Sequence, residues 1–81
     1  MTEPLGLRRY DYYRGPQPLD DLWTLRRDAL TMRCALSTHR QGWELRLTAG
    51  TFHRSQVCKT EGEVFSVSEA WQAQAKQQGW S

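Results

Sequence analysis

Two cysteines and two histidines are the residues of this chain best suited to bind zinc or to perform redox chemistry: Cys34, His39, His53 and Cys58. No pair of them has the C-x-x-C or H-x-x-x-H spacing that brings zinc ligands together. Cys34 and His39 fall on one predicted strand with opposite parity, so their side chains leave opposite faces. A disulfide needs Cα atoms within about 7 Å, and a third strand separates the two cysteines. We predict no metal, cofactor or disulfide, and expect both thiols to be reduced and buried.

A histidine with a carboxylate partner is the second candidate site. The predicted pairing puts His39 opposite Glu44 and Arg46 opposite His53, and such a histidine can act as a general base. The chain contains no nucleophile on a strained turn and no glycine-rich phosphate loop. We therefore interpret His39 and Glu44 as an exposed cross-strand pair, and we predict a protein that is not an enzyme and has no small-molecule substrate.

The basic residues are unevenly distributed. Between Arg26 and Lys59 there are seven lysines or arginines against two acids, whereas positions 61–78 contain one lysine and three glutamates. A sheet can lie in a DNA major groove, where arginines reach guanine and phosphate. A charged sheet face is also commonly only solvated. The candidate binding face of the predicted sheet consists of Arg33, Ser37, Arg46, His53 and Arg54.

Alternating apolar residues define the elements that position these side chains. Period-two patterns predict strands at 23–25, 30–39, 43–48 and 51–58, with turns at 27–29, 41–42 and 49–50. These turns put Leu36 and Phe52 opposite Leu47, and Thr38 opposite Leu45. Turns this short join antiparallel neighbours, so the strand order is 1-2-3-4. The core of this sheet is expected to include Trp43, Leu45, Leu47 and Phe52.

The end of the fourth strand breaks the alternation, because Val57 and Cys58 are adjacent and both apolar. Two outcomes are open. A β-bulge near Ser55 and Gln56 would turn Val57 toward the core, or this edge strand would fray. The sequence does not decide whether Val57 or Cys58 faces inward.

A helix follows the fourth strand. Thr60 and Glu63 form a capping box, in which Thr60 accepts from the Glu63 amide and Glu63 reaches back to the Thr60 amide. We expect the helix to end at Gln78, with Gly79 as its left-handed stop and Trp80 packed on Ala75. Its apolar stripe is Val64, Val67, Trp71 and Ala75, with Phe65 and Ser68 at the margin.

These elements predict one α+β domain: an antiparallel meander of three to four strands packed on one C-terminal helix. The ββββα domain spans positions 21–81, and positions 1–20 form a loosely ordered arm because proline and glycine interrupt any periodicity there. Its tyrosines, Tyr10, Tyr12 and Tyr13, stand beside arginines, and such a cluster either binds nucleic acid or covers apolar surface of the domain. We favour the second alternative. The 81 residues contain no apolar run long enough for a membrane span and no signal-peptide core. The expected location is therefore cytoplasmic.

Several motifs in positions 22–80 resemble a group of small uncharacterised bacterial proteins. These motifs are W-x-L from Trp23, C-x-L from Cys34, G-W-E-L-R from Gly42, S-Q-V-C from Ser55, and a helix that closes on G-W at Gly79. The resemblance implies the fold and a bacterial origin, and it carries no activity. Three strands followed by a helix are also similar to the arm-type DNA-binding domain of tyrosine integrases, which implies basic sheet residues in a major groove.

The sequence thus favours a small non-catalytic accessory or protein-interaction module. A protein partner or self-association is expected, because an edge strand can accept another strand. The alternative is a DNA-binding module that uses the uncovered, mildly basic sheet face.

Overall fold

Four strands and one helix make up the fold in a computed structural model, which describes Gly15 and residues 17–81. The strands are β1 (Pro18–Arg27), β2 (Leu30–His39), β3 (Gly42–Ala49) and β4 (Phe52–Cys58), and the helix is α1 (Glu61–Gln77). All neighbouring strands are antiparallel, in the order β1-β2-β3-β4. The predicted α+β class, a meander followed by one C-terminal helix, is confirmed. No helix in this part of the chain has the length and apolar character needed to cross a membrane.

The core lies between α1 and one face of the sheet. Leu45, Cys34 and Cys58 are its largest fully buried side chains. The helix contributes Val64, Ser68, Trp71 and Ala75, whereas Phe65 is 62% exposed. The other face of the sheet has no covering element among residues 17–81.

The first strand begins at Pro18, inside the segment that the sequence predicts to be an arm. The Gln17 amide donates to the Thr38 hydroxyl (2.9 Å), and the Thr38 amide donates to the Gln17 carbonyl (2.9 Å). The sheet therefore extends further toward the N-terminus than expected. The rest of the arm, with its three tyrosines, lies outside the described residues.

The turn between β2 and β3 corrects the predicted register by two residues. The turn residues are Arg40 and Gln41, so His39 pairs with Gly42 and Leu36 with Leu45. Gly42 belongs to β3, where it pairs with His39. The position requires glycine because a Cβ there would collide with the carbonyl oxygen of Cys58 on β4, and its φ is +144°. This glycine permits a close approach of two backbones, whereas the sequence interpretation used it for the turn.

The turn between β3 and β4 is displaced in the opposite direction, one residue later than predicted, and this again changes the register by two residues. Gly50, with φ +60°, takes its first position, as in the type II′ turns of two-residue hairpins. Ala49 therefore stays in β3, where it is buried, and pairs with Phe52. The prediction that Phe52 belongs to the core is wrong. Its side chain is 52% exposed because β4 lies at the margin of the helix-covered area.

The β-bulges occur on β1, and the predicted bulge near Ser55 and Gln56 is absent. β4 pairs regularly with β3 up to Trp43 opposite Cys58, so the alternative of fraying does not occur either. Cys58 is fully buried and Val57 faces away from the helix. On β1 the register shifts between Pro18 and Asp20 and again between Asp21 and Trp23. The second shift lets Leu22 and Trp23, adjacent in sequence, both pack against the core.

Both ends of the helix carry the predicted caps, with one corrected partner. The Glu63 amide donates to the Thr60 hydroxyl (3.1 Å), while the Glu63 carboxylate accepts from the Lys59 amide (2.7 Å), one residue before the expected one. At the other end the helix stops at Gln77, one residue earlier than expected. Gly79 has φ +96°, and the Trp80 amide donates to the Ala75 carbonyl (3.1 Å). This is the Schellman geometry that the sequence predicts.

The residues after the helix close the edge of β1. Arg26 and Ser81 exchange two backbone hydrogen bonds, from the Arg26 amide to the Ser81 carbonyl (2.8 Å) and from the Ser81 amide to the Arg26 carbonyl (2.9 Å). The Arg27 guanidinium lies 4.9 Å from the ring centroid of Trp80 and donates to the Gln78 carbonyl (2.8 Å). Trp80 is itself buried in the core. The C-terminal residues therefore occupy part of one sheet edge.

Candidate functional site: the uncovered face and the free edge of the sheet

Four of the five predicted site residues share the uncovered face of the sheet. Arg33 on β2 pairs with Thr48 on β3, which pairs with His53 on β4. With neighbouring strands about 4.8 Å apart, Arg33 and His53 are separated by about 10 Å across the sheet. The parallel rows place Arg46 between Ala35 and Ser55, and Glu44 between Ser37 and Val57. The sheet thus brings Arg33, Ser37, Arg46 and His53 to one surface.

Arg54 does not belong to this surface. It pairs with Leu47, on the face that carries the helix. Its guanidinium lies 4.9 Å from the ring centroid of Trp71, where a cation–π contact at an exposed site is worth about 0.5–1 kcal/mol. Including Arg54 in the binding face is therefore corrected: its side chain covers the helix tryptophan.

Carboxylates partly neutralise the arginines of the uncovered face. Arg33 Nε lies 3.5 Å from Asp21 Oδ2, and Arg46 Nη2 lies 3.5 Å from Glu44 Oε1. Both arginine side chains are more than half exposed, and such pairs contribute about 0–1 kcal/mol to stability. Their main effect is on the surface potential, which is weaker than the sequence count of basic residues indicates.

The predicted cross-strand pairs involving the histidines do not form, because the register is displaced by two residues. Glu44 lies opposite Ser37, and Arg46 lies opposite Ser55. His39 Nδ1 accepts a hydrogen bond from the Gln41 amide within the turn (3.0 Å). His39 therefore helps to shape the turn, and the arrangement predicted for a general base is not assembled.

The two thiols are buried on the helix side of the sheet and are free. Burial raises the pKa of Cys34 from 9.0 to about 11, although a hydrogen bond with Ser68 acts in the opposite direction. Burial also raises the pKa of Cys58, and the nearby Glu63 carboxylate adds to the effect. Both thiols are therefore protonated at neutral pH, which makes them poor nucleophiles and poor metal ligands. Within residues 17–81, no three His, Cys, Asp or Glu side chains are grouped as a metal site would require.

The free edge of β4 is a second candidate surface. The sequence analysis does not identify which of its backbone groups are open. The two-residue turn closes with Ala49 and Phe52 as a hydrogen-bonded pair, and such pairs alternate along an antiparallel ladder. Phe52, Arg54, Gln56 and Cys58 therefore direct their backbone groups toward β3. The groups of His53, Ser55 and Val57 point away from the sheet, and no residue of the described chain pairs with them.

β4 is accessible from both faces as well as along its edge. Its first six residues are exposed, and only Cys58 is buried. Exposed apolar side chains lie near both ends of the strand, Phe52 on the helix side and Val57 on the uncovered side. A depression lined by Arg46, Thr48, His53 and Ser55 adjoins the strand on the uncovered face. The strand order predicted from the short turns already indicates that β4 is an edge, but not which of its residues are open.

Comparison of this chain with protein-family models, with curated proteins and with solved structures finds no match. The resemblance to small bacterial proteins and to integrase arm domains therefore stays a prediction.

Proposed function

We propose that this protein is a small non-catalytic interaction module that binds a protein partner by strand addition at the free edge of β4. The observation that carries this proposal is the row of outward-directed backbone groups at His53, Ser55 and Val57, with which no described residue pairs. In strand addition, main-chain hydrogen bonds supply affinity and alternate side chains supply selectivity. The geometry of β4 fits both requirements.

In the part of the chain that the structure describes, the β4 edge lacks the features by which sheets normally prevent such pairing. Proteins protect exposed edges with proline, lysine, bulges or a covering segment. β4 contains neither proline nor lysine, and its pairing with β3 is regular from Phe52 to Cys58. Its one arginine, Arg54, is held over Trp71 on the helix side. An incoming strand would therefore meet no obstacle built into β4 itself.

Apolar side chains beside the edge supply contacts for a partner. Phe52 and Val57 are 52% and 36% exposed, and they belong to opposite faces of β4. Burial of apolar surface contributes about 25 cal/mol per Å², so an added strand that covers both residues gains from each face. The proposed partner thus presents an extended segment with apolar side chains on both of its faces.

Ser55 allows a direct test, because its amide points away from β3. Ser55→Pro removes this donor without removing a β3–β4 hydrogen bond, since proline is tolerated on the open side of an edge strand. Ser55→Ala retains the amide and is the matched control. We expect proteins captured from source cells by wild type and S55A to be lost with S55P, with both variants folded by far-UV circular dichroism.

Hydrogen exchange on the captured complex then locates the contact. We expect the amides of His53, Ser55 and Val57 to exchange rapidly in the free protein and at least about tenfold more slowly in the complex, because pairing shields them from water. Equal capture by all three proteins, or protection confined to another surface, would contradict strand addition at β4.

The alternative, a DNA-binding module, is favoured by one observation: Arg33, Ser37, Arg46 and His53 share the uncovered face. Pairing of Arg33 with Asp21 and of Arg46 with Glu44 counts against a strong attraction to phosphate. This alternative expects amide NMR shifts on that face when duplex DNA is added at low salt, weakened by Arg46→Glu and by added salt. Unchanged spectra would exclude it.

The proposed location is the cytoplasm. Cys34 and Cys58 are both free and buried, which is usual for proteins in a reducing compartment. A bacterial origin remains part of the same proposal, on the motifs described above.

A further inference from the structure

We propose that the partner of β4 is a second copy of this chain, paired antiparallel about a two-fold axis at Ser55; this rests on the proposed function. β4 has seven residues, Phe52–Cys58, and Ser55 is its centre. A two-fold axis there pairs every residue of one strand with a residue of the other. It also sets the open backbone groups of His53, Ser55 and Val57 against the same groups of the second copy. Three hydrogen-bonded pairs of this kind give about six backbone hydrogen bonds.

The side chains agree with this register. Arg54, the one arginine of β4, lies opposite Gln56 of the second copy, and Phe52 lies opposite its Cys58. On the uncovered face, His53 meets Val57 and Ser55 meets its own symmetry mate. No like charges are directly opposed, so the cost of a repulsive cross-strand pair is avoided.

The neighbouring registers that satisfy the same backbone groups are poorer. An axis at Arg54 places two guanidinium groups directly opposite each other in a non-hydrogen-bonded pair, where side chains are closest. An axis at Gln56 leaves Phe52 and His53 without a partner inside β4. The register centred on Ser55 is therefore selected both by charge and by the number of paired residues.

The symmetry also buries the exposed part of β4. An axis perpendicular to the sheet keeps both helices on one side, so the two copies of Phe52, Arg54 and Gln56 form the floor between them. These residues are exposed in one copy because the helix leaves β4 uncovered. On the opposite side the two uncovered faces join, and the two copies of Arg46 flank the paired Ser55 residues.

Sedimentation equilibrium of the full chain tests this proposal over micromolar to millimolar concentrations. We expect wild type and Ser55→Ala to form dimers, and Ser55→Pro to bind itself at least about tenfold more weakly, because two central hydrogen bonds are lost. A charge-exchange pair identifies the axis. S55D alone and S55K alone should be monomeric, whereas an equimolar mixture should form a heterodimer, because each aspartate then faces a lysine.

The outcomes separate this proposal from the more general one. Wild type that stays monomeric at millimolar concentration overturns the second copy as partner, while Ser55-dependent capture of another protein would still support strand addition. A dimer that S55P leaves intact overturns the β4 interface. A mixture of S55D and S55K that stays monomeric, when wild type is dimeric, overturns the register centred on Ser55.

Discussion

The two edges of the sheet differ in how their outward-directed backbone groups are paired. The β1 edge is interrupted by two register shifts and is paired with Ser81 at Arg26. The β4 edge is regular, and nothing within residues 17–81 pairs with its three outward-directed residues. Protection of one edge by residues from the C-terminal end of the described chain leaves the other edge as the place where an added strand can pair.

Adjacent apolar residues occur on both edge strands, and each strand accommodates them differently. On β1 a bulge at Leu22 and Trp23 turns both side chains toward the core. On β4 the ladder stays regular, so Cys58 is buried and Val57 is left 36% exposed. On β1 the bulge thus adds Leu22 to the core contacts of Trp23, whereas on β4 the regular ladder keeps the pairing with β3 as far as Cys58 and leaves Val57 outside the core.

The largest expected effect comes from removing the anchor of the closed edge. Trp80→Ala should lower the free energy of unfolding by about 3–5 kcal/mol, because it leaves a cavity in the core and releases Ser81 from Arg26. Phe65→Ala, at a residue that is 62% exposed, is the control and should cost less than about 0.5 kcal/mol. Urea unfolding followed by circular dichroism measures both. Equal losses would show that Trp80 does not anchor the edge.

The next effect is the dependence of stability on alkaline pH, which distinguishes Cys34, on β2 beside β1, from Cys58 on β4. Since the folded state raises the pKa of Cys34 from 9.0 to about 11, it favours the neutral thiol. This contribution to stability is complete below pH 9 and is lost as the pH rises toward 11. A two-unit difference corresponds to about 2–3 kcal/mol.

Unfolding titrations at several alkaline pH values check this expectation. Cys34→Ala should be less stable at pH 7 but should lose less stability between pH 9 and 11 than wild type. Cys58→Ala should reduce the alkaline loss to a smaller extent, although burial raises that pKa too. Parallel stability–pH curves for wild type and C34A would contradict the assignment.

The smallest expected effect is the loss of stability when either of two arginines is replaced by alanine. The two arginines make similar contacts with tryptophan rings beside opposite edges of the sheet. Arg27 and Arg54 each lie 4.9 Å from a tryptophan centroid, but only Arg27 also donates to a C-terminal carbonyl, that of Gln78. We expect Arg27→Ala to cost about 1.5–2.5 kcal/mol and Arg54→Ala about 0.5–1 kcal/mol. Thermal and urea unfolding measure the difference. A larger loss for R54A would mean that β4 is the better anchored edge.

Local patterns in the sequence predict most of the fold. Alternation gives β2, β3 and β4 to within one residue at each end, and the residues Thr60, Gly79 and Trp80 mark the limits of the helix. The register is harder to predict from the sequence. It depends on whether each glycine is needed in a turn or beside the backbone of another strand. Gly42 is needed beside the Cys58 carbonyl, a contact at the open end of the β3–β4 hairpin between residues that are far apart in sequence. No local pattern near Gly42 indicates it.

The candidate face was predictable for a related reason. A displacement of two residues changes every cross-strand partner but leaves each side chain on its original face. Arg33, Ser37, Arg46 and His53 therefore share the uncovered side despite the wrong register. Arg54 has the parity of Phe52 and faces the helix, as alternation alone indicates. The protection of β1 by Ser81 could not be predicted, because it depends on where the helix ends in space.

The contact between Arg26 and Ser81 also has a consequence for the order of folding. Each hairpin of the meander closes a short loop, and such events take about 1–10 μs. Arg26 and Ser81 are far apart in sequence and meet only when the helix has docked on the sheet. The entropic cost of closing this long loop therefore arises late in folding. We therefore expect the β1 edge at Arg26 to be one of the last parts of the sheet to gain its partner as the chain folds.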